Sequence, residues 1–417
     1  MSYIVIGNSA AGLFAVEEIR KHDTQSEIIV LTAEKEPSYS RCLTTYFLAG
    51  DIPASRLYLR EEGFAGRLNL TVVYDVNVNR IDPERHLVHS TDGREWSYCK
   101  LLLAMGASAK KLTIPGARLL EVFTLRTMQD ALAINALLEQ GAQKAVVIGG
   151  GLVSLKSAYA LRKRGLEVTV LISSGQLLSQ MLDAKAAGLL QRHLEGNGLR
   201  FLLQTGAIAI TGAKHIQGVL IAPATELGAD IVIVGKGVRP NSGNLKEFGF
   251  KVDQGIRVDS SLATNVPNVY AAGDIAETWD LVREQYTINA TWPNATTQGR
   301  IAGANMCGGH EVYPGSLGLN SVDFFGLSAM SAGITKLPMN EGQGGWYQEE
   351  NLIKVGNLPF YRTMIWQGDF LKGFVLLGDT SQCGVLTALI KAGRPLTQTQ
   401  KKLAMGKRGT LAVGMIK

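Results

Sequence analysis

The sequence predicts an α/β protein with two Rossmann-like domains and a small α+β domain at its C-terminal end. Three observations point there. An apolar run, a glycine turn and a stretch of helical period open the chain within residues 3–21. The same succession returns at residues 145–163. Beyond about residue 315 the texture changes to short candidate strands closed by a helix.

Tyr3 to Ile6 reads as a strand, Gly7 to Gly12 as the turn and Leu13 to Lys21 as a helix. Glu27 to Leu31 is the next apolar run and Glu34 follows it, so a βαβ opening is complete within about 30 residues. Strands are expected at Leu70–Tyr74 and Leu101–Ala104, with a crossover marked by Pro115-Gly116. The second unit places a strand at Ala145–Ile148, a turn at Gly149–Gly151, a helix at Val153–Lys163 and a strand at Glu167–Ile172. Asp230–Val234 and Val269–Ala272 read as further strands and Asn294–Met306 as a helix. The last part offers a glycine turn at Gly342–Gly345, strands at Leu352–Val355, Tyr361–Trp366 and Phe374–Leu377, and a helix at Val385–Ala392. The stretch carrying Lys401-Lys402 and Lys407-Arg408 reads as a basic, mobile tail. The domains expected from this pattern are a discontinuous one over 1–113 and 240–315, a second over 114–239 and a third over 316–417.

Composition removes several classes. With 46% hydrophobic residues and 19% charged, the chain can bury sizeable cores. No apolar run approaches the roughly 18 residues that cross a bilayer, and no signal-like segment precedes Tyr3, so a cytoplasmic protein is expected. Cys42, Cys99, Cys307 and Cys383 lie far apart, without zinc spacing or a disulfide framework, and no metal site is expected. The net charge of +6 has no basic stripe with interleaved aromatics, which argues against nucleic acid. None of the six histidines adjoins a nucleophile motif, and solvated surface positions are expected for them.

Gly7-Asn8-Ser9-Ala10-Ala11-Gly12 fits G-x-G-x-x-G with Ser9 in the middle place. The first glycine makes the tight turn, the small middle residue lets the backbone reach a pyrophosphate, and the last lets helix and strand pack closely. Phosphates then sit on the helix N-terminus. Glu34 is placed to accept both hydroxyls of an adenosine ribose. Gly149-Gly150-Gly151-Leu152-Val153-Ser154 is the second fingerprint, with Ser154 at the third glycine. Its ribose carboxylate is missing: Ile172 occupies the place, followed by Ser173-Ser174. No arginine stands there for a 2′-phosphate, so the choice of nicotinamide stays open. Two dinucleotide-binding domains in one chain imply electron transfer between a tightly held flavin and a visiting nicotinamide.

These motifs carry a family resemblance, joined by Pro37–Arg41, Leu101–Ala107, Gly235–Asn241, Thr264–Asp274 and Trp292–Gly303. In them the chain resembles the FAD-dependent pyridine nucleotide–disulfide oxidoreductase superfamily. Within it, the chain looks like the branch of NADH:rubredoxin reductases, nitrite reductase flavoproteins, NADH oxidases and coenzyme A-disulfide reductases. The resemblance implies that Gly7, Ser9, Ala10, Ala11, Gly12 and Glu34 hold the FAD pyrophosphate and adenosine, with Arg41 near the phosphates. Val78 would meet the adenine through its backbone. Ala104 and Gly106 line the same site, and Gly273 with Asp274 the flavin ribityl or pyrophosphate region. Gly149, Gly151, Leu152 and Val153 would take NADH or NADPH. Hydride would pass from nicotinamide C4 to flavin N5, and no acid–base residue is required for that step. The acceptor is then a small acidic redox protein of the rubredoxin type, whose docking the positive charge favours, or a small molecule. The C-terminal domain would flank the flavin, and a homodimer is among the assemblies this implies. Trp366 and Phe370 serve either that acceptor face or the domain core, the core being the better fit.

Departures bear on mechanism. Lys156 stands where many relatives have Glu near the nicotinamide, a change that would favour anionic groups, with a solvated helix lysine as the plain reading. Cys42 follows Arg41, near the place where the resembled oxidases and coenzyme A-disulfide reductases carry one redox cysteine. Redox cysteine and inert packing cysteine are both open for it, while a glutathione-reductase-like C-x-x-x-x-C is absent. A third reading, a flavoprotein subunit with a weakened nicotinamide site, rests on Ser154, Lys156 and Ile172.

Overall fold

The computed structural model describes residues 2–221, 225–338, 344–355 and 358–406. The chain divides into two compact units: Met1–Leu43 with Pro53–Ser108 and Val238–Ser316, and Thr44–Ile52 with Ala109–Gly237 and Leu317–Lys417.

The first unit is built on a parallel five-stranded sheet in the order Val269–Ala271, Lys100–Leu103, Ser2–Ile6, Glu27–Leu31, Leu70–Val73. Ile4, Val5, Leu101, Leu102 and Leu103 are all 0% exposed, as continuous apolar runs must be when helices cover both faces. Helix Ala10–His22 returns the chain from the first strand to the second. Helix Trp292–Met306 packs on it at very short range: a Cβ added to Gly299 would lie 2.2 Å from the Ala11 carbonyl oxygen, and one at Gly303 2.6 Å from that of Ala15. A three-stranded meander, Val78–Asp82, Leu87–Ser90 and Glu95–Ser97, completes the unit with a smaller sheet of Ile256–Arg257, Ala276–Asp280 and Gln285–Thr287.

The second unit repeats the plan. Its parallel sheet runs Leu199–Leu203, Glu167–Ile172, Lys144–Ile148, Ile231–Val234, Val122–Phe123. Helix Leu152–Lys163 links the two strands that carry the second fingerprint. Helix Met128–Glu139 starts in a capping box between Thr127 and Asp130, and Asp183 caps Ala184–Gly196 by accepting from the Ala186 N–H. Thr44–Leu48 is a short helix of this unit: Leu48 is fully buried, Asp51 pairs with Lys163, and Arg164 donates to the Leu48 carbonyl. A five-stranded antiparallel sheet follows, in the order Leu319–Phe324, Leu327–Gly333, Phe370–Leu377, Leu358–Gln367, Trp346–Val355.

The C-terminal stretch departs from expectation. Lys401 is not in a mobile tail. It sits in helix Gln398–Ala404, 5% exposed, donating to Tyr347 Oη and Asp369 Oδ1 at 2.7 Å and to the Gly368 carbonyl at 3.0 Å. Helix propensity over so short a segment is weak, and this anchored ammonium supplies what the sequence pattern does not show. Lys401→Met should lower stability by about 1–3 kcal/mol in chemical denaturation, because it strips a carboxylate and a carbonyl of their charged partner. Lys407-Arg408 and part of Gly342–Gly345 lie outside the described residues. Trp366 is fully buried and stacks with Tyr347, the core role expected of it, while Phe370 is 39% exposed. Of the histidines, His193 contacts the Phe324 carbonyl at 3.0 Å and His86 stacks on Tyr98, so neither is simply solvated.

Candidate dinucleotide sites

The first cradle forms where the strand Ser2–Ile6 ends. The Gly7 N–H donates to the Leu31 carbonyl at 2.8 Å, and Gly7 turns at φ +113°. A Cβ there would lie 2.2 Å from the Ala104 carbonyl oxygen, and a Cβ on Gly12 only 1.9 Å from the Gly7 carbonyl oxygen. Both glycines are therefore imposed by backbone walls. Ser9 is the N-cap of the helix, and its side chain makes no capping hydrogen bond to the first turn, Ala10-Ala11-Gly12. That leaves a bare positive helix end for an anion, and a pyrophosphate fits it.

Other expected residues converge on the same place. A Cβ on Gly273 would touch Ala11 Cβ at 3.1 Å, and Asp274 follows, half-buried. Gln298 Oε1 accepts from the Gly273 N–H at 2.8 Å and so sets the position of this loop, a role that spacing alone did not suggest. Asn241 donates from Nδ2 to the Met105 carbonyl at 2.8 Å, and Gly106 takes φ +62°. Ser38 donates to Asn8 Oδ1, tying the segment after Glu34 to the fingerprint. Glu34 accepts from Tyr39 Oη at 2.6 Å and forms an ion pair with Arg41, whose guanidinium also lies over the Tyr39 ring. Any hydroxyl ligand at Glu34 would therefore share its carboxylate with Arg41 and Tyr39. Val78 begins the meander, half-buried.

The second cradle has the same construction. The Gly149 N–H donates to the Leu171 carbonyl at 2.8 Å, and Gly149 has φ +128° with its missing Cβ 2.2 Å from the Gly235 carbonyl oxygen. Gly151 is the N-cap of the following helix and again no side chain caps it, so Leu152 and Val153 open an unoccluded helix end. Ser154 is accommodated, not strained: it is fully buried and its Oγ donates to the Gly235 carbonyl at 3.2 Å. Gly235 makes the room, since a Cβ there would lie 1.9 Å from Ser154 Oγ.

Ile172 needs a correction of place. Ile6 pairs with Leu31 in the first sheet and Ile148 with Leu171 in the second, so Ile172 matches Thr32, and Ser174 matches Glu34. Ile172 is 1% exposed and packs under Gly150. Neither position carries an acid.

Cys42 is exposed on a short 3-10 turn, Arg41–Leu43. Lys156 is half-buried, its Nζ 4.6 Å from the centroid of the Tyr46 ring. Among the described residues no cluster of His, Cys, Asp and Glu suits a metal ion, and no helix is long and apolar enough to cross a membrane.

Two glycine cradles, each at a helix N-terminus on a parallel sheet, define a protein built to take two dinucleotides. Comparison with known proteins makes this specific: the chain belongs to the pyridine nucleotide-disulphide oxidoreductase family, whose model matches residues 1–299. It is 32% identical over 358 residues to an NADH oxidase of Methanocaldococcus jannaschii, covering 82% of this chain and 80% of the relative. It is also 32% identical over 314 residues to a rubredoxin-NAD(+) reductase of Ectopseudomonas oleovorans, covering 74% and 80%. Among solved structures, an NAD-dependent persulfide reductase from A. fulgidus matches with a TM-score of 0.90 at 29% identity, over 98% of this chain and 83% of that one. Some other curated relatives are about twice as long as the part this chain matches. The protein is an NAD(P)H-dependent flavin oxidoreductase, with FAD and NADH or NADPH as its cofactors.

Proposed function

We propose that this enzyme takes electrons from NADH or NADPH through FAD and delivers them to a small acidic redox protein of the rubredoxin type. FAD is assigned to the first cradle and the nicotinamide to the second. When bound, the two cofactors supply hydride donor and acceptor. The chain's residues do the rest. Gly7 and Gly12 shape the turn, the free N–H groups of residues 10–12 and 152–153 take the pyrophosphates, and Gln298 holds the Gly273-Asp274 loop. Lys156 adds a positive charge that favours anionic groups.

The observation that carries the reading is that one chain holds both glycine cradles and has no C-x-x-x-x-C cysteine pair to relay electrons. The net charge of +6 and the similarity to a rubredoxin reductase support an acidic protein as acceptor. Reduction of a rubredoxin by the enzyme and NAD(P)H, slowed strongly by added salt, is the expected result. Equal turnover of small oxidants with no salt dependence would overturn it.

A second reading is favoured by the exposure of Cys42 and the similarity to a persulfide reductase. In it, the Cys42 thiolate would attack a coenzyme A disulfide or persulfide, break its S–S bond, form a Cys42–coenzyme A mixed disulfide and release coenzyme A thiolate or hydrosulfide, and two electrons from NAD(P)H would then reduce the mixed disulfide back to thiols. Cys42→Ser would then abolish turnover of those substrates while flavin reduction by NAD(P)H continues. On the leading reading the same variant keeps full rubredoxin reduction.

A further inference from the structure

Resting on the assignment of the second cradle to the nicotinamide dinucleotide, the structure assigns Lys236, with Ser173, as a seat for a 2′-phosphate, so that NADPH is preferred over NADH.

The strand Glu167–Ile172 ends where an adenosine ribose is read in this fold, and a carboxylate there would accept the 2′-hydroxyl and repel a phosphate. This chain has no Asp or Glu anywhere between Val168 and Leu182. The repulsive element is therefore missing from the whole loop, whichever residue faces the ribose. Ser173 and Ser174 are both exposed, and the Ser173 hydroxyl stands there instead.

The loop is held in place by its own bonds. The Leu178 N–H donates to the Gly150 carbonyl at 2.7 Å, which fastens the loop to the fingerprint. Gln204 donates from its backbone to the Ser174 carbonyl at 3.1 Å, and Gln176 Nε2 to the Leu182 carbonyl at 2.8 Å. Ser174 Oγ donates to the Gln176 carbonyl at 3.1 Å.

The cation arrives from a different part of the sequence. Lys236 follows Gly235, the residue whose carbonyl closes the fingerprint turn, and its Nζ donates to Ser173 Oγ at 3.2 Å. No arginine near Ser173 in sequence foreshadows it, because the charge comes from the end of strand Ile231–Val234, more than 60 residues on. An ammonium carries three donors, so one can remain on Ser173 while the others face a phosphate. Charge-assisted bonds of this kind are roughly twice as strong as neutral ones.

The test uses the FAD-saturated enzyme and two probes that differ only at the 2′ position, adenosine 5′-monophosphate and adenosine 2′,5′-bisphosphate, titrated by calorimetry. The bisphosphate should bind about 10-fold tighter or more, with an advantage that shrinks as salt rises. Lys236→Ala should erase that advantage while the monophosphate still binds, and Lys236→Arg should keep it. Equal binding of the two probes, or an advantage that survives Lys236→Ala, would overturn the inference while leaving the second cradle as a nucleotide site. Failure of both probes to bind would remove the site itself.

Discussion

Gly12→Val should yield a protein that purifies without its flavin. The Cβ of any larger residue at this position points at the Gly7 carbonyl oxygen from 1.9 Å, and Val5 Cγ1 stands 3.2 Å away on another side. Overpacking costs roughly 1–3 kcal/mol where neighbouring side chains can yield, and more where the wall is backbone. Relief requires the helix to move away from the strand, which opens the turn that receives the pyrophosphate. The visible absorbance of bound flavin reads the result. The nucleotide fluorescence or calorimetric response of the second cradle should persist in the same variant, because its glycines belong to a separate turn. Flavin retained at the wild-type level would show that the first fingerprint is not the FAD cradle.

Gly149→Ala should have the complementary outcome: a yellow protein that NADH and NADPH reduce poorly. Gly149 combines φ +128° with a missing Cβ only 2.2 Å from the Gly235 carbonyl oxygen and 2.8 Å from Ser154 Oγ. The methyl group collides with the same carbonyl that accepts the Ser154 hydroxyl. A penalty of about 3 kcal/mol on nucleotide binding corresponds to roughly 100-fold in affinity. Anaerobic stopped-flow mixing should show flavin reduction that needs about that much more nicotinamide for half its maximal rate. Unchanged reduction kinetics would place the nicotinamide elsewhere.

Much of this was legible in the sequence because the two fingerprints rest on local rules. A glycine forced to positive φ and a following apolar period are visible in a dozen residues, and Gly7–Gly12 and Gly149–Gly151 form the turns those rules predict. Less legible were features set by long-range partners. Ser154 looks like a defect in the second fingerprint until Gly235, over 80 residues away, is seen to make room for its hydroxyl. Lys236 reaches Ser173 across strands, and Gln298 reaches Gly273 from a helix. Thr44–Ile52 groups with the second unit although it lies within the first in sequence, and no composition shift marks it. Lys401 reads as a tail residue because its three acceptors, Tyr347, Gly368 and Asp369, are more than 30 positions away. Local pattern reports turns and periods, but not which distant group completes a charge or a cavity.

Anaerobic titration of the purified enzyme with NADPH, following the flavin spectrum, tests the central claim most directly. Loss of the oxidised flavin band, complete after a single equivalent per chain, is the predicted result. A protein that carries no flavin even after incubation with FAD, or a flavin that neither NADPH nor NADH bleaches, would contradict it.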